Sequence, residues 1–360
     1  MAETKNRTPF GDWVVERLAA LGLEPEALKT KLGSDYLRDC VLYRYPHERY
    51  PLPRTIDDLA ALLEVAAAVV RARLAGQPTD TGRPDVRERL RPWVPRLAAL
   101  FEGHAEVKTL LGEALPEVVT WPGALDEGVT TLAEEIRPSL EVNQPQLLVE
   151  PVLDWSRRPL ILRGVCVDFA IVAAMRRLQR LPAVLSASAV VCTADPVGLV
   201  LHRRANLPHT TYANCLHTLG GAFHPDLETL ASVGTDRDLH DTLVREVFEE
   251  SRLRVSLDGS TGLMVEEPRT GFIQLLGLGV TAPRPRPELN AEGMSELVRP
   301  EHLLATLLRD RWVPTGRLAV LLWLAAGAPG FPEGPIFGGL TVDEVLEEVV
   351  ATAPLEHVAP

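Results

Sequence analysis

In the segment His240–Leu253 three glutamates, Glu246, Glu249 and Glu250, stand at positions i, i+3 and i+4. On a helix that spacing brings three carboxylates to one face. Carboxylates this close repel one another unless the face is solvated or a cation neutralises it. An all-oxygen donor set suits a hard divalent ion, so Mg²⁺ or Mn²⁺ is the expected occupant. Arg245 precedes Glu249 by one helical turn and can orient it. The competing reading is a glutamate-rich helix surface that does nothing but face water.

A helix is what the flanking residues predict. Leu239, Leu243 and Val247 recur every fourth residue with Val244 beside them, an amphipathic pattern. Upstream, Val184 to Thr193 and Val197 to Arg203 read as two strands joined across the turn at 194–196. The second strand runs from aliphatic to basic residues, Leu199-Val-Leu-His-Arg-Arg204. Leu216 to Asp226 carries the Gly220-Gly221 pair. Pro159–Leu162 and Gly164–Asp168 are further strand material before a helical stretch at 170–181. Phe272 to Val280 is an apolar run, and Arg317 to Ala326 reads as a buried helix. Strands interleaved with helices predict a mixed α/β domain over 145–330.

Residues 1–140 read as helical. Thr55-Ile-Asp-Asp58 resembles a capping box opening a helix that runs through Leu59, Leu62, Leu63, Ala66, Val69 and Val70 to Gly76. A loop follows at 76–84, then helical stretches at 86–102, 104–115 and 127–136. None has a ligand spacing or a phosphate loop. Residues 331–360 form a C-terminal tail with a short helix.

The chain has 360 residues, 46% of them hydrophobic, and a formal charge of −12. That length predicts two domains. The negative charge argues against nucleic acid and anionic membranes as partners. Leu318 to Ala326 is too short to span a bilayer, and the first residues lack the apolar core of a signal peptide, so a cytoplasmic protein is expected. Cys40, Cys166, Cys192 and Cys215 form no C-x-x-C pair; Cys40, Cys166 and Cys192 are expected as small buried hydrophobes. Four lysines among many arginines, alanines and prolines fit the codon bias of a GC-rich bacterial genome.

The string Arg245-Glu246-Val247-Phe248-Glu249-Glu250 matches the R-E-U-x-E-E core of the Nudix box, a match that chance would produce in about 1% of chains this long. Leu216 to Asp226 resembles the glycine-bearing strand end and loop of the same family, and the order of elements is similar from roughly 183 to 325, including Trp312-Val-Pro-Thr-Gly316. The resemblance implies a Nudix-type α/β/α sandwich with a mixed sheet, preceded by a mostly helical N-terminal domain. It implies hydrolysis of a diphosphate linkage in a nucleoside diphosphate derivative by attack of water on phosphorus. Glu246, Glu249 and Glu250, with the Gly220 carbonyl, would hold Mg²⁺ or Mn²⁺, Arg245 would orient the carboxylates, and Glu246 is a candidate for activating the water. A later acid is expected from Glu288, Glu292 or Glu296. His202, Arg203 and Arg204 are candidates for phosphate contacts, and His217 and His224 for lining the site; for each, an ordinary structural role is the alternative. Cys215-Leu-His217 resembles the C-x-H of isopentenyl diphosphate isomerases, which lack the R-E-U-x-E-E helix. Dimers are common in the family, and a homodimer is an expectation on that ground.

Two departures stand out. The family's first glutamate, six residues after the glycine, is Leu227 here, with Glu228 beside it and an apparent insertion at 229–244. The family's helix-ending glycine is Arg252, which would cost about 1 kcal/mol in a left-handed conformation. Both leave room for a second reading, a Nudix-fold ligand sensor acting through the helical domain. Specificity would reside in the insertion and in the 281–300 loop with its Pro283-Arg-Pro-Arg-Pro287 edge.

Overall fold

A computed structural model describes residues 8–43, 53–63, 70, 86–111, 115–121, 123–140, 143–150, 153–157, 159–194, 196–206, 212–225, 235–255, 257, 261–282, 289–290, 293–331 and 337–352. The chain divides into two compact units, Met1–Arg83 and Pro84–Pro360. This division falls well before residue 140, where the sequence suggested a boundary.

In the first unit the described elements are helices α1 (Pro9–Ala20), α2 (Glu26–Leu32), α3 (Asp35–Tyr43) and α4 (Pro53–Leu62). Thr8 caps α1, its hydroxyl accepting from the Gly11 N–H at 3.1 Å. Val14, Leu18, Leu28, Val41, Leu59 and Leu63 form a small apolar core. Helix α4 begins two residues before the expected cap at Thr55, because Pro53 suits a first turn that needs no N–H donor. The expected continuation to Gly76 falls mostly outside the described residues.

The second unit contains helices α5 (Val86–Leu100), α6 (Glu127–Ile136), α7 (Phe169–Arg177), α8 (Leu239–Ser251), α9 (Pro300–Arg309), α10 (Pro314–Ala325) and α11 (Val342–Thr352). Its strands are β1 (Glu106–Leu110), β2 (Glu117–Thr120), β3 (Pro145–Val149), β4 (Ile161–Asp168), β5 (Leu185–Ala194), β6 (Val197–Arg204), β7 (Leu216–His217), β8 (Leu219–Ala222), β9 (Thr261–Glu267), β10 (Phe272–Ala282), β11 (Leu289–Asn290) and β12 (Gly293–Val298). The main sheet has the order β1-β9-β10-β5-β6-β12-β11, with β7 on β6 and β8 on β5; a smaller sheet runs β2-β4-β3. Strand β10 lies parallel to β5 and antiparallel to β9, so the main sheet is mixed.

Strand alternation separates the two faces. Leu185, Ala187, Ala189, Ile273 and Leu275 point to α8, joining Leu239, Leu243 and Val247 in one core. Val190, Leu199, Leu201, Leu263, Val265, Leu276 and Leu278 point the other way, to a core shared by α5, α9, α10 and α11. The result is a three-layer α/β/α arrangement; a mixed α/β domain was expected over 145–330, and α5, β1 and α11 join it from outside that range.

Three expectations change. Residues 104–115, read as helix, contain β1, which pairs with β9 at the edge of the main sheet; Val107 and Thr109 favour a strand once a partner edge exists. Residues 331–360 are no appendage in their described part, since Val345, Leu346 and Val349 of α11 enter the main core. Helix α7 stops at Arg177 rather than near 181, and Gln179 just beyond it takes a left-handed φ of 57°. No helix among the described residues is long and apolar enough to cross a membrane.

Every residue of α10 is buried, Arg317 included. Its Nε, Nη1 and Nη2 have no hydrogen-bond partner among the described residues, and burial pulls its pKa down to about 10. An unpaired buried charge is a net cost. Arg317→Met, which keeps length without charge, is therefore expected to raise the unfolding free energy by about 1–3 kcal/mol. A denaturant titration showing lower stability would contradict this.

Candidate active site

Helix α8 starts where Asp238 caps it, the carboxylate accepting from the His240 and Asp241 N–H groups at 2.9 Å each. Its buried stripe comprises Leu239, Thr242, Leu243, Glu246, Val247, Glu250 and Ser251. Two of the predicted carboxylates therefore lie on the inward face: Glu246 is 7% and Glu250 5% exposed. Glu249 lies at the margin, with half of its side chain in water.

The glycine pair explains how those carboxylates fit. Strand β8 is antiparallel to β5, with Gly220 opposite Ser188 and Gly221 opposite Ala187. A Cβ at Gly220 would overlap the Ala187 carbonyl and Ser188, and one at Gly221 would overlap the Glu246 carboxylate. The missing Gly221 side chain is thus the space into which α8 presents Glu246, and the missing Gly220 side chain lets β8 lie close on β5. The Gly220 N–H donates to Glu250 Oε2 at 2.8 Å, and His202 Nε2 lies 3.9 Å from Glu250 Oε1. Ser295 Oγ donates to the Glu250 carbonyl at 2.9 Å, tying α8 to β12.

Arg245 is the junction of the site. Its Nε and Nη2 donate to the two oxygens of Asp236 at 2.9 and 2.8 Å, a bidentate pair. Nη1 donates to Glu246 at 2.7 Å and Glu249 at 3.2 Å, and Nη2 also reaches the Ala222 carbonyl at 2.7 Å. Burial alone would favour the neutral form, but the Asp236 hydrogen bond and the Glu246 charge outweigh it and hold the pKa well above the ordinary value. Asp236, nearly fully buried, also accepts from the His224 N–H at 2.9 Å and Thr242 Oγ1 at 3.0 Å.

Asp236 is the residue the sequence reading missed. The family pattern sets its first acid eight positions before the Arg, and Asp236 stands nine before Arg245. Asp236 is thus the acid that braces Arg245 in the fold. Leu227 and Glu228 are outside the described residues. An acid at nearly the right distance from Arg245 was the available signal.

The remaining candidates separate. Arg203 is held by Glu296 at 2.9 Å and Asp310 at 3.0 Å, which occupies both Arg203 and Glu296 in a structural pair. Glu288 and Glu292 lie outside the described residues. His217 is buried, its Nδ1–H donating to the Thr218 carbonyl, and burial with the Arg204 charge lowers its pKa to about 3. Burial and the Arg245 charge lower that of His224 to about 4. Both rings are neutral, and His224 packs beside the Asp236–Arg245 pair. Cys192 and Cys215 are buried thiols whose pKa values burial raises; Cys166 is partly buried. The Cys40 side chain is outside the described residues.

Among the described residues no group of three or more His, Cys, Asp or Glu side chains forms a ready-made metal cage. The donor chemistry nonetheless suits Mg²⁺, which is commonly held by one or two carboxylates with water and substrate oxygens completing its shell. Asp236, Glu246 and Glu249 share the Arg245 guanidinium.

Arg252 adopts φ 59° and ψ 17°, the left-handed conformation of a terminal glycine, and its N–H donates to the Phe248 carbonyl at 2.8 Å. The helix ends as a glycine would end it, at a conformational cost. Arg252→Gly is expected to raise stability by about 0.5–1 kcal/mol in a denaturant titration. Asp236→Asn keeps the shape but removes the charge facing Arg245, and is expected to lower stability by about 2–4 kcal/mol; a neutral result would show that the pair is dispensable.

No family model matches this chain, and no curated protein matches it. Part of the chain is similar to solved structures of Nudix proteins. A MutT protein from Methanosarcina mazei Go1 is 19% identical over 39% of this chain and 94% of its own, with a TM-score of 0.29. The Nudix domain of Shewanella oneidensis NrtR, complexed with ADP ribose, is 17% identical over 40% and 86%, with a TM-score of 0.27. A C. elegans Ap4A hydrolase in a binary complex is 18% identical over 41% and 98%, with a TM-score of 0.28. TM-scores this low carry no weight for function, which rests on the residues themselves.

Proposed function

We propose that this chain is a Nudix-type hydrolase that cleaves a diphosphate linkage in a nucleoside diphosphate derivative, with Mg²⁺ or Mn²⁺ as cofactor. The observation that carries the reading is the burial of Glu246 and Glu250 against the Gly220–Gly221 pair of β8, beside an Arg245 already shared among three acids. Buried carboxylates on one helix face are the oxygen donor set that a hard divalent cation takes.

Glu246, Glu249 and Glu250 would hold the cation, with the Gly220 carbonyl as a further oxygen donor. The ion supplies positive charge that offsets the diphosphate and stabilises charge developing on its oxygens. Arg245, braced by Asp236, keeps Glu246 and Glu249 in place. The Gly220 N–H fixes one oxygen of Glu250 and leaves the other toward His202. Glu246 is the candidate base for the attacking water, held in place by the Arg245 hydrogen bond. The substrate is a small molecule; the chain's own negative charge disfavours nucleic acid.

The second reading, a ligand-binding module without turnover, uses the same residues. A panel of nucleoside diphosphate sugars, dinucleoside polyphosphates, ADP-ribose and NAD(H), assayed with Mg²⁺, separates the two. Turnover that falls at least a hundredfold in Glu250→Gln and disappears with chelator is the expected outcome. Tight binding without turnover would replace the enzyme with the module, and neither binding nor turnover would remove both.

A further inference from the structure

At the end of the main sheet where β6 and β9 finish and β10 begins, polar groups from separate elements converge with atoms left unsatisfied. Glu267, the last residue of β9, is 2% exposed, and its Oε1 has no hydrogen-bond partner. Its other oxygen accepts from Thr270, and Tyr212 lies near enough to act electrostatically on the carboxylate. Gln274 lies opposite Val265 in the β9–β10 register, so Glu267 is its diagonal neighbour on the same face. The Gln274 Oε1 is likewise buried and unpartnered. Arg204, ending β6, has a buried Nε without a partner. Arg176 of α7 lies over the Phe272 ring, and Arg176 and Arg204 both act electrostatically on Glu267 and on each other.

Two guanidiniums outnumber one carboxylate here, so the cluster suits an anion. The free acceptors on Glu267 and Gln274 add a condition: the anion must also donate a hydrogen bond. Hydrogen phosphate and phosphate monoesters near neutrality fit through a P–OH group or an adjacent hydroxyl, whereas sulfate offers acceptors alone. Buried polar atoms of this kind are otherwise satisfied only by ordered water. Arg317 differs, because its buried guanidinium has no such convergent groups around it.

We propose that Arg176, Arg204, Tyr212, Glu267 and Gln274 form a binding site for a phosphate group that presents both oxyanion acceptors and a hydrogen-bond donor. The site uses none of the α8 carboxylates and goes beyond the hydrolase reading. Burial raises the Glu267 pKa to about 7, offset in part by Thr270 and Tyr212. At pH 8 the group is therefore mostly an acceptor, and selectivity against sulfate is greatest.

Isothermal titration of the full chain at pH 8, with chelator and no Mg²⁺, tests the site. Inorganic phosphate is expected to bind saturably and at least tenfold more tightly than sulfate. Glu267→Gln, whose amide donates, is expected to bring sulfate to within about threefold of phosphate. Arg204→Met is expected to weaken phosphate at least tenfold, and Glu250→Gln to leave it unchanged. Glycerol 3-phosphate, titrated in parallel, separates a phosphorylated small molecule from free phosphate as the occupant; binding of either supports the site. Absence of saturable binding, equal affinity for phosphate and sulfate, or loss in Glu250→Gln with retention in Arg204→Met would overturn it. The phosphate-to-sulfate ratio is read on the wild-type protein, so the outcome does not depend on a variant folding. Failure here leaves the diphosphate assays with Mg²⁺ untouched.

Discussion

The bidentate pairing of Arg245 with Asp236 is the interaction on which the site rests. A guanidinium presents a planar fork of donors, and here almost the whole fork is committed: one edge to Asp236, another nitrogen to Glu246 and Glu249, and a further bond to the Ala222 carbonyl. Through it the segment ahead of α8, the end of β8 and the acidic face of α8 are fixed together. Lysine could not replace it, since a point charge on a flexible stem cannot satisfy so many acceptors in one plane.

Burying acids beside a sheet requires space and donors, and the chain supplies both from backbone. Gly220 and Gly221 remove the side chains that would collide with β5 and with Glu246, and the Gly220 N–H donates to Glu250. The opposite face of the sheet is handled differently. Helix α10 lies against it with a nearly all-apolar surface, so one face of the sheet buries acids and the other almost only hydrocarbon. Unpartnered buried polar atoms occur there on Arg317 within α10, and near the strand ends on Glu267, Gln274 and Arg204.

Much of this was legible beforehand because it is local. Helix α8, its acids, the Gly-Gly pair and the strand pair β5–β6 follow from spacing and from turn residues close in sequence. The strand at 106–110 was not legible, since its stability comes from an edge of β9 more than 150 residues away. The place of α5 was not legible for the same reason: it reads as any amphipathic helix, and only its docking onto the core of α10 assigns it to the second unit.

The sequence by itself determined the types of group available for chemistry: three carboxylates at helical spacing, an arginine among them, and two adjacent glycines upstream. Tertiary structure decided which of these meet. It turned Glu246 and Glu250 inward and left Glu249 at the margin, because a helix face is divided by the sheet it packs against and not by its own periodicity alone. It also identified Asp236 as the brace for Arg245, and it committed Arg203 to Glu296 and Asp310. Those pairings join residues on separate elements, and such distances exist only once the chain has folded.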